Sequence, residues 1–373
     1  MLRRQIGSLL AADRRLASQK RRWALCKFCD VLQAVRISFS KGDVCIMPKA
    51  IRFNQLGGPE VLHMEDLPTR QPGPGEVLLK VEAVGLNRAE SMYFHGFYME
   101  KTNLPSGLGY EAVGKVISVG PGVDSTLIGK RFGTIPGYSM NQYPVLAEEA
   151  VVPAGVLAAV PDSFSAVAGA AVWMQYCTAY GALVPFGKVA AGDFVIITAA
   201  SSSVGLAAIQ IVKAQGGISI ATSRTSAKKD QLTALGADHV IATEEEDLVA
   251  RVQSITGGKG ARIIFDPVGG DYINTLAQAT ANGGTIFLYG GLSGKPTPFP
   301  LAAFGRTIGM FGYTFGELRG TPEWETMKKY IYDHLADGTF KPEIARTFPF
   351  DQTAEAYKYL ESNQQIGKIV ITL

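Results

Sequence analysis

A run of small residues, Ala199-Ala200-Ser201-Ser202-Ser203-Val204-Gly205, follows the apolar stretch Phe194 to Thr198 and leads into a helical pattern. A strand that turns into a helix in this way suits a phosphate, because backbone N–H groups reach the anion only where side chains are small. Gly205 stands where helix and strand approach closely. Ser202 and Ser203 occupy positions where glycine is usual, and a serine hydroxyl can donate to a phosphate oxygen. The full G-x-G-x-x-G pattern is missing, so the turn by itself is equally an ordinary strand-to-helix connection. Nineteen residues beyond Gly205 the next apolar run ends in Ser223-Arg224-Thr225, followed by Lys228 and Lys229. A fold that prefers NAD places Asp or Glu there, on the ribose hydroxyls. A carboxylate repels a 2′-phosphate, whereas the Arg224 fork pairs with one. The expected cofactor is NADPH, held by Ser201, Ser202, Ser203, Val204, Gly205, Ser223, Arg224 and Lys228.

A second group has donors suited to a carbonyl. Asn87 precedes the aromatic cluster Tyr93-Phe94-His95-Gly96-Phe97-Tyr98. A phenol can donate to a developing oxyanion and its ring can stack on a flat acceptor. Core packing explains Tyr93 equally well and Tyr98 less well. Gly290-Gly291 closes the apolar run Thr285 to Tyr289, where the nicotinamide half of a dinucleotide would pass; a simple turn explains it too. Gly294-Lys295 lacks phosphate-loop spacing, and neither G-x-S-x-G nor H-E-x-x-H is present.

Two kinds of element must position these groups. From Pro48 to about Val160 short strands alternate with turn signals such as Gly73-Pro74-Gly75 and Gly120-Pro121-Gly122. From about Gly192 apolar runs alternate with helical spacing: Phe194 to Thr198, Val204 to Gln215, Ile218 to Thr222, Lys228 to Leu235, His239 to Ile241, Arg262 to Phe265 and Thr285 to Tyr289. Strands buried on both faces read in this way, which predicts a doubly wound parallel α/β domain. A helix over Thr321 to Leu335, another from near Asp351, and a last strand Lys368 to Ile371 should fold back onto the first module.

The 373 residues allow two or three domains. Hydrophobic residues at 47% and charged residues at 18% exclude a chain disordered throughout. The net charge of +3 is unevenly placed, since residues 1–46 hold ten Lys or Arg against three Asp and the remainder is acidic by four charges. The body is therefore no nucleic-acid binder. Residues 1–46 read as a disordered or mis-started leader, with organelle import left open. Cys26 and Cys29 lack a second ligand pair, and Cys177 is alone in the body, so no disulfide framework forms there and a reducing cytoplasm suits the chain. The charge-free runs at 163–187 and 194–212 are broken by Pro185 and by the serine turn, which speaks against membrane spans.

Several motifs together carry a family resemblance: Gly73-Pro74-Gly75-Glu76-Val77, Val84-Gly85-Leu86-Asn87-Arg88-Ala89-Glu90, Gly109-Tyr110-Glu111-Ala112-Val113-Gly114, the serine turn, Leu235-Gly236-Ala237-Asp238, Asp266-Pro267-Val268-Gly269-Gly270 and Gly367-Lys368-Ile369-Val370. In their order and spacing the chain resembles the medium-chain dehydrogenase/reductase superfamily, in its zinc-free quinone oxidoreductase branch. The resemblance implies a Rossmann domain, residues 171–304, inserted relative to a GroES-like β-rich catalytic domain, residues 47–170 and 305–373. It implies Asp266, Gly290, Gly291 and Lys368 among the cofactor-binding residues, and Asn87, Tyr98 and Tyr93 at the catalytic cleft. Zinc-dependent relatives carry ligands at the positions of Asn87, Tyr110 and Met174, none of which here is a plausible zinc ligand, so no metal is expected. The implied activity is NADPH-dependent hydride transfer to a quinone or α,β-unsaturated carbonyl, whose spread charge needs only hydrogen-bond donors. An alcohol dehydrogenase-like reductase of other carbonyls, and a non-catalytic, crystallin-like NADPH binder, remain the alternatives. A homodimer through the Rossmann edge near Ile308 to Phe315 is implied as well.

Overall fold

The computed structural model describes residues 47–373; the leader and its Cys26 and Cys29 lie outside the described residues. Eight strands come first: β1 (Lys49–Phe53), β2 (His63–Asp66), β3 (Glu76–Gly85), β4 (Ser106–Gly107), β5 (Glu111–Val119), β6 (Arg131–Thr134), β7 (Glu149–Pro153) and β8 (Leu157–Ala158). The long strand β3 organises them, pairing antiparallel with both β5 and β7. Its apolar residues Val77, Leu79, Val81 and Val84 are buried, which is why this Val- and Leu-rich run is a central strand.

The rhythm then changes. Six strands, β9 (Phe194–Ile197), β10 (Ile218–Ser223), β11 (His239–Ala242), β12 (Ala261–Asp266), β13 (Thr280–Leu288) and β14 (Gly309–Gly312), form one parallel sheet in the order β11-β10-β9-β12-β13-β14. The central strand β9 is a continuous apolar run buried on both faces, with Val195, Ile196 and Ile197 at full burial. The chain order 3-2-1-4-5-6 is that of a doubly wound dinucleotide-binding sheet. The last two strands, β15 (Ile344–Pro349) and β16 (Lys368–Thr372), return to the first unit, where β16 sets Val370 opposite Gly85 and Ile371 opposite Val84 of β3.

The expected end of the inserted unit at residue 304 is too early. The strand β14 pairs with β13, and the helix Pro322–Ala336 buries Trp324, Met327 and Ile331 in the same core as Trp173, Tyr176, Leu206 and Ile209. The parallel unit therefore runs on to that helix. The run at 163–187 becomes the helix Trp173–Gly181 with a π-helical turn over Ala182–Phe186 at Pro185, and among the described residues no helix is long and apolar enough to cross a membrane.

Candidate active site

The strand order reverses between β9 and β12, and ligands of such sheets sit at the carboxyl ends of the strands at that point. The serine turn occupies it. Ala199 takes a left-handed φ of 47° to leave β9, and the Ser202 hydroxyl caps the helix Ser203–Ala214 by accepting from the Gly205 N–H at 3.1 Å. A Cβ on Gly205 would lie 2.6 Å from the Ala200 carbonyl oxygen, so only glycine lets the helix start this close to the strand end. At the end of β10, exposed Arg224 is near enough to Lys228 to help lower the lysine's pKa, although burial is the larger cause. The Tyr289 hydroxyl is buried beside Ser202 without a hydrogen-bond partner, its ring stacked on Phe265 at 4.0 Å. Sequence reasoning missed it, since a tyrosine ending an apolar run carries no motif.

Four expected cofactor residues have other duties. The Lys228 ammonium donates to the Ser201 hydroxyl at 3.1 Å and to the backbone oxygens of Asn363 and Gln365 at 3.0 Å each, which engages all three of its protons. It pins the C-terminal segment to the serine turn, and the Gly367 N–H donates to the Ser201 carbonyl beside it at 3.0 Å. Asp266 is fully buried and accepts from the Thr198 hydroxyl, from Val268 N–H at 3.1 Å and from Gly269 N–H at 2.9 Å, so it shapes its own turn. The Ser223 hydroxyl donates to the Thr225 carbonyl at 2.7 Å. Lys368 is buried in the β-rich unit, far too enclosed to meet a cofactor directly. Gly290 allows close approach instead, as its Cβ would meet the Pro267 carbonyl oxygen at 2.8 Å, while Gly291 has open space.

Lys368 belongs to a buried polar hub. Its ammonium donates to Asn87 Oδ1 and Glu111 Oε2, both at 2.6 Å. Glu111 Oε1 accepts from the Met174 N–H at 3.0 Å, and Asn87 Nδ2 donates to the Gly85 carbonyl at 3.0 Å. Asn87 thus positions the helix Arg88–Phe94 rather than offering a donor to substrate, which corrects its catalytic assignment. Glu90 closes the hub, accepting from Asn87 N–H at 2.7 Å, Tyr110 N–H at 2.9 Å and the Tyr357 hydroxyl at 2.9 Å. Burial pushes the Glu90 carboxyl up to about 7, against these donors and the Lys368 charge, which favour ionisation.

The aromatic cluster divides. Tyr93 is fully buried, with its hydroxyl bonded to Ser106 at 2.9 Å and to Asn141 Oδ1 at 2.6 Å, so it packs and braces and is not a cleft residue. Tyr98 is half-buried, edge-on to both Tyr93 and Tyr110. Burial raises its phenol above the usual range, and hydrogen bonding with Tyr110 opposes that shift. Met174 packs against both cores, so the positions of Asn87, Tyr110 and Met174 converge around Glu111. Among the described residues no group of three or more His, Cys, Asp or Glu is placed to hold a metal ion.

A groove of about 310 Å³ runs between the units, with Arg88, Ser91, Met92, His95 and Glu361 on one wall and Gly291 and Leu292, beyond β13, on the other. His95 Nε2 lies 3.0 Å from Glu361 Oε1, which also accepts from the Ser91 hydroxyl at 2.5 Å. No motif points to this trio, because Glu361 lies 266 residues from His95.

Comparisons with known proteins agree with this architecture. The alcohol dehydrogenase GroES-like domain model matches residues 73–162, and the zinc-binding dehydrogenase model matches residues 203–332. The chain is similar to a quinone oxidoreductase of Pseudomonas aeruginosa, with 31% identity over 87% of this chain and 99% of that protein. It is 28% identical to a 2-haloacrylate reductase of Burkholderia, over 87% and 99% of the two chains. Among solved structures, the Escherichia coli quinone oxidoreductase complexed with NADPH superposes with a TM-score of 0.81 at 28% identity, covering 87% of this chain and 100% of that one.

Proposed function

Since the chain belongs to the medium-chain dehydrogenase/reductase superfamily, in its quinone oxidoreductase-like branch, we propose that it is an NADPH-dependent reductase of quinones or α,β-unsaturated carbonyls that works without zinc. The observation that carries this reading is the glycine-poor turn of small residues at the switch point with exposed Arg224 at the end of the neighbouring strand β10. The residues fit the cofactor: Gly205 lets the helix N-terminus start close against the end of β9, the partnerless Tyr289 hydroxyl offers a polar contact beside Ser202, and the exposed Arg224 fork suits a 2′-phosphate.

Ser201, Ser202, Ser203, Val204 and Gly205 would hold the pyrophosphate and Arg224 the 2′-phosphate, while Gly290 and Gly291 leave room for the remainder. When bound, NADPH supplies a hydride. The protein's part is to bind, orient and stabilise charge. The phenol of half-buried Tyr98 would donate a hydrogen bond to the oxygen on which negative charge builds. Its raised pKa keeps that proton in place at neutral pH. A quinone or enone delocalises the charge, so a single donor suffices where a simple ketone would call on a Lewis acid. The sites at which zinc-dependent relatives hold their metal carry Asn87, Tyr110 and Met174, which lack the thiolate and imidazole donors of such a centre. A homodimer through the free edge of β14 is part of this reading, supported by exposed Leu301, Phe304 and Phe311 alongside that edge.

The test is NADPH consumption with a panel of quinones, enones, simple ketones and alcohols, half the samples containing a chelator. Reduction of quinones or enones that the chelator leaves unchanged is expected. Activity confined to alcohols, abolition by the chelator, or NADPH binding with no turnover of any acceptor would overturn it.

A further inference from the structure

We propose that His95 is the proton donor of the reaction, with Glu361 as the positioning residue that orients its imidazole. This rests on the reductase reading above and adds to it the group that completes the chemistry. The groove on which His95 lies is bounded by Gly291 and Leu292, just past the carboxyl end of β13 and two strands along the sheet from β9 at the switch point. His95 caps the C-terminal end of the helix Arg88–Phe94, and the same helix supplies Ser91 and Met92 to the groove.

The imidazole is built in rather than loosely attached. Glu361 Oε1 holds Nε2 at 3.0 Å, the Ser91 hydroxyl donates to the same oxygen, and the ring lies stacked with Phe97 and tilted against Phe94. The Glu361 carboxylate on Nε2 fixes the ring, so that when both ring nitrogens carry protons Nδ1–H is the transferable one. The imidazole is 34% exposed, so water can restore that proton after each turnover. The other charged groups facing this region are Arg88 on the groove wall, and Glu60, which interacts with both His95 and Lys358.

No competing acid nearby is as well placed. Glu90 and Glu111 are fully sealed in the hub, the Tyr93 hydroxyl is bonded to Ser106 and Asn141, and Tyr98 holds its proton tightly. The balance is simple. Hydride from the reduced nicotinamide dinucleotide brings two electrons and one hydrogen to the conjugated acceptor. The resulting enolate carbon or phenolate oxygen takes H⁺ from Nδ1, so one N–H bond breaks as one C–H or O–H bond forms. The neutral imidazole then regains a proton from water.

The experiment uses the full chain with an acceptor that the wild type reduces. His95→Ala is expected to lower kcat by about 100-fold or more while NADPH affinity, read by fluorescence, stays within about twofold. Imidazole added to solution should restore part of the lost rate to His95→Ala. Glu361→Gln, which keeps a hydrogen bond but removes the charge, should lower kcat by about tenfold with a smaller change in KM. A His95→Ala protein that turns over at the wild-type rate, or that binds NADPH normally but gains nothing from imidazole, overturns the assignment alone. A wild type that reduces no acceptor overturns the parent reading and this one with it.

Discussion

Lys368, at the start of the final strand, points its ammonium at Glu111, 257 residues earlier, across 2.6 Å, and neither side chain is reachable by solvent. Two opposite charges at this depth are stable only as a pair, because either alone would remain uncompensated in a low-dielectric interior. Lys368→Met should therefore lower unfolding free energy by about 3 to 5 kcal/mol. Adding Glu111→Gln should recover much of that loss. Urea denaturation of the single and double variants checks both statements; a double variant less stable than the single would contradict them.

Gly205→Ala places a methyl 2.6 Å from the Ala200 backbone, which cannot swing aside as a side-chain tip would. The helix start must shift, at about 1 to 3 kcal/mol of stability. NADPH affinity, followed by fluorescence titration, should fall with it, since the N–H groups of the turn lose their alignment.

Tyr98→Phe and Tyr93→Phe remove the same atom with different results. Loss of the Tyr98 hydroxyl should reduce kcat/KM by about 100-fold with little change in Tm. Loss of the Tyr93 hydroxyl strands Ser106 and Asn141, at about 1 to 2 kcal/mol of stability, with kcat/KM nearly intact. Steady-state kinetics and thermal melts on the two variants separate chemistry from packing.

Arg224→Glu reverses charge at the end of β10 without touching the core, as Arg224 is exposed. KM for NADPH should rise by at least about tenfold, while KM for NADH changes little. Equal shifts for both nucleotides would remove the 2′-phosphate role.

Glu90 gives the chain a pH signature. Its folded pKa, raised from 4.5 to about 7, means that the folded state binds the proton more tightly than the unfolded chain. The resulting stabilisation is complete below the unfolded value and is lost as pH rises through about 7, amounting to about 3 kcal/mol at most. Urea titrations between pH 5 and 8 should show wild-type stability declining relative to Glu90→Gln. Wild-type stability that rises relative to Glu90→Gln over that range would have the wrong sign.

Local patterns made the parallel unit legible. Phe194 to Ile197 and Ile263 to Phe265 are apolar runs too short for helices, and the serine turn marks its own junction. The end of that unit was not legible, because β14 is Gly-Met-Phe-Gly, with glycine at both ends and little strand propensity, and joins the sheet only through β13. The site split in the same way. Arg224 and Gly205 are interpretable at fixed distances along one strand-helix-strand unit. The duties of Asn87, Lys228 and Lys368 depend on partners more than 130 residues away, and a lysine in isolation looks the same whether it meets a phosphate or a buried glutamate. His95 and Glu361 were missed for that reason too.

The clamp of Lys228 on Ser201, Asn363 and Gln365 has a consequence for biosynthesis. While a ribosome is still making the protein, the serine turn has its own strand and helix but lacks the segment to which Lys228 fastens it. Only after residues 363–367 emerge from the exit tunnel can those three hydrogen bonds form together, so the serine turn is fastened by a segment translated well after it.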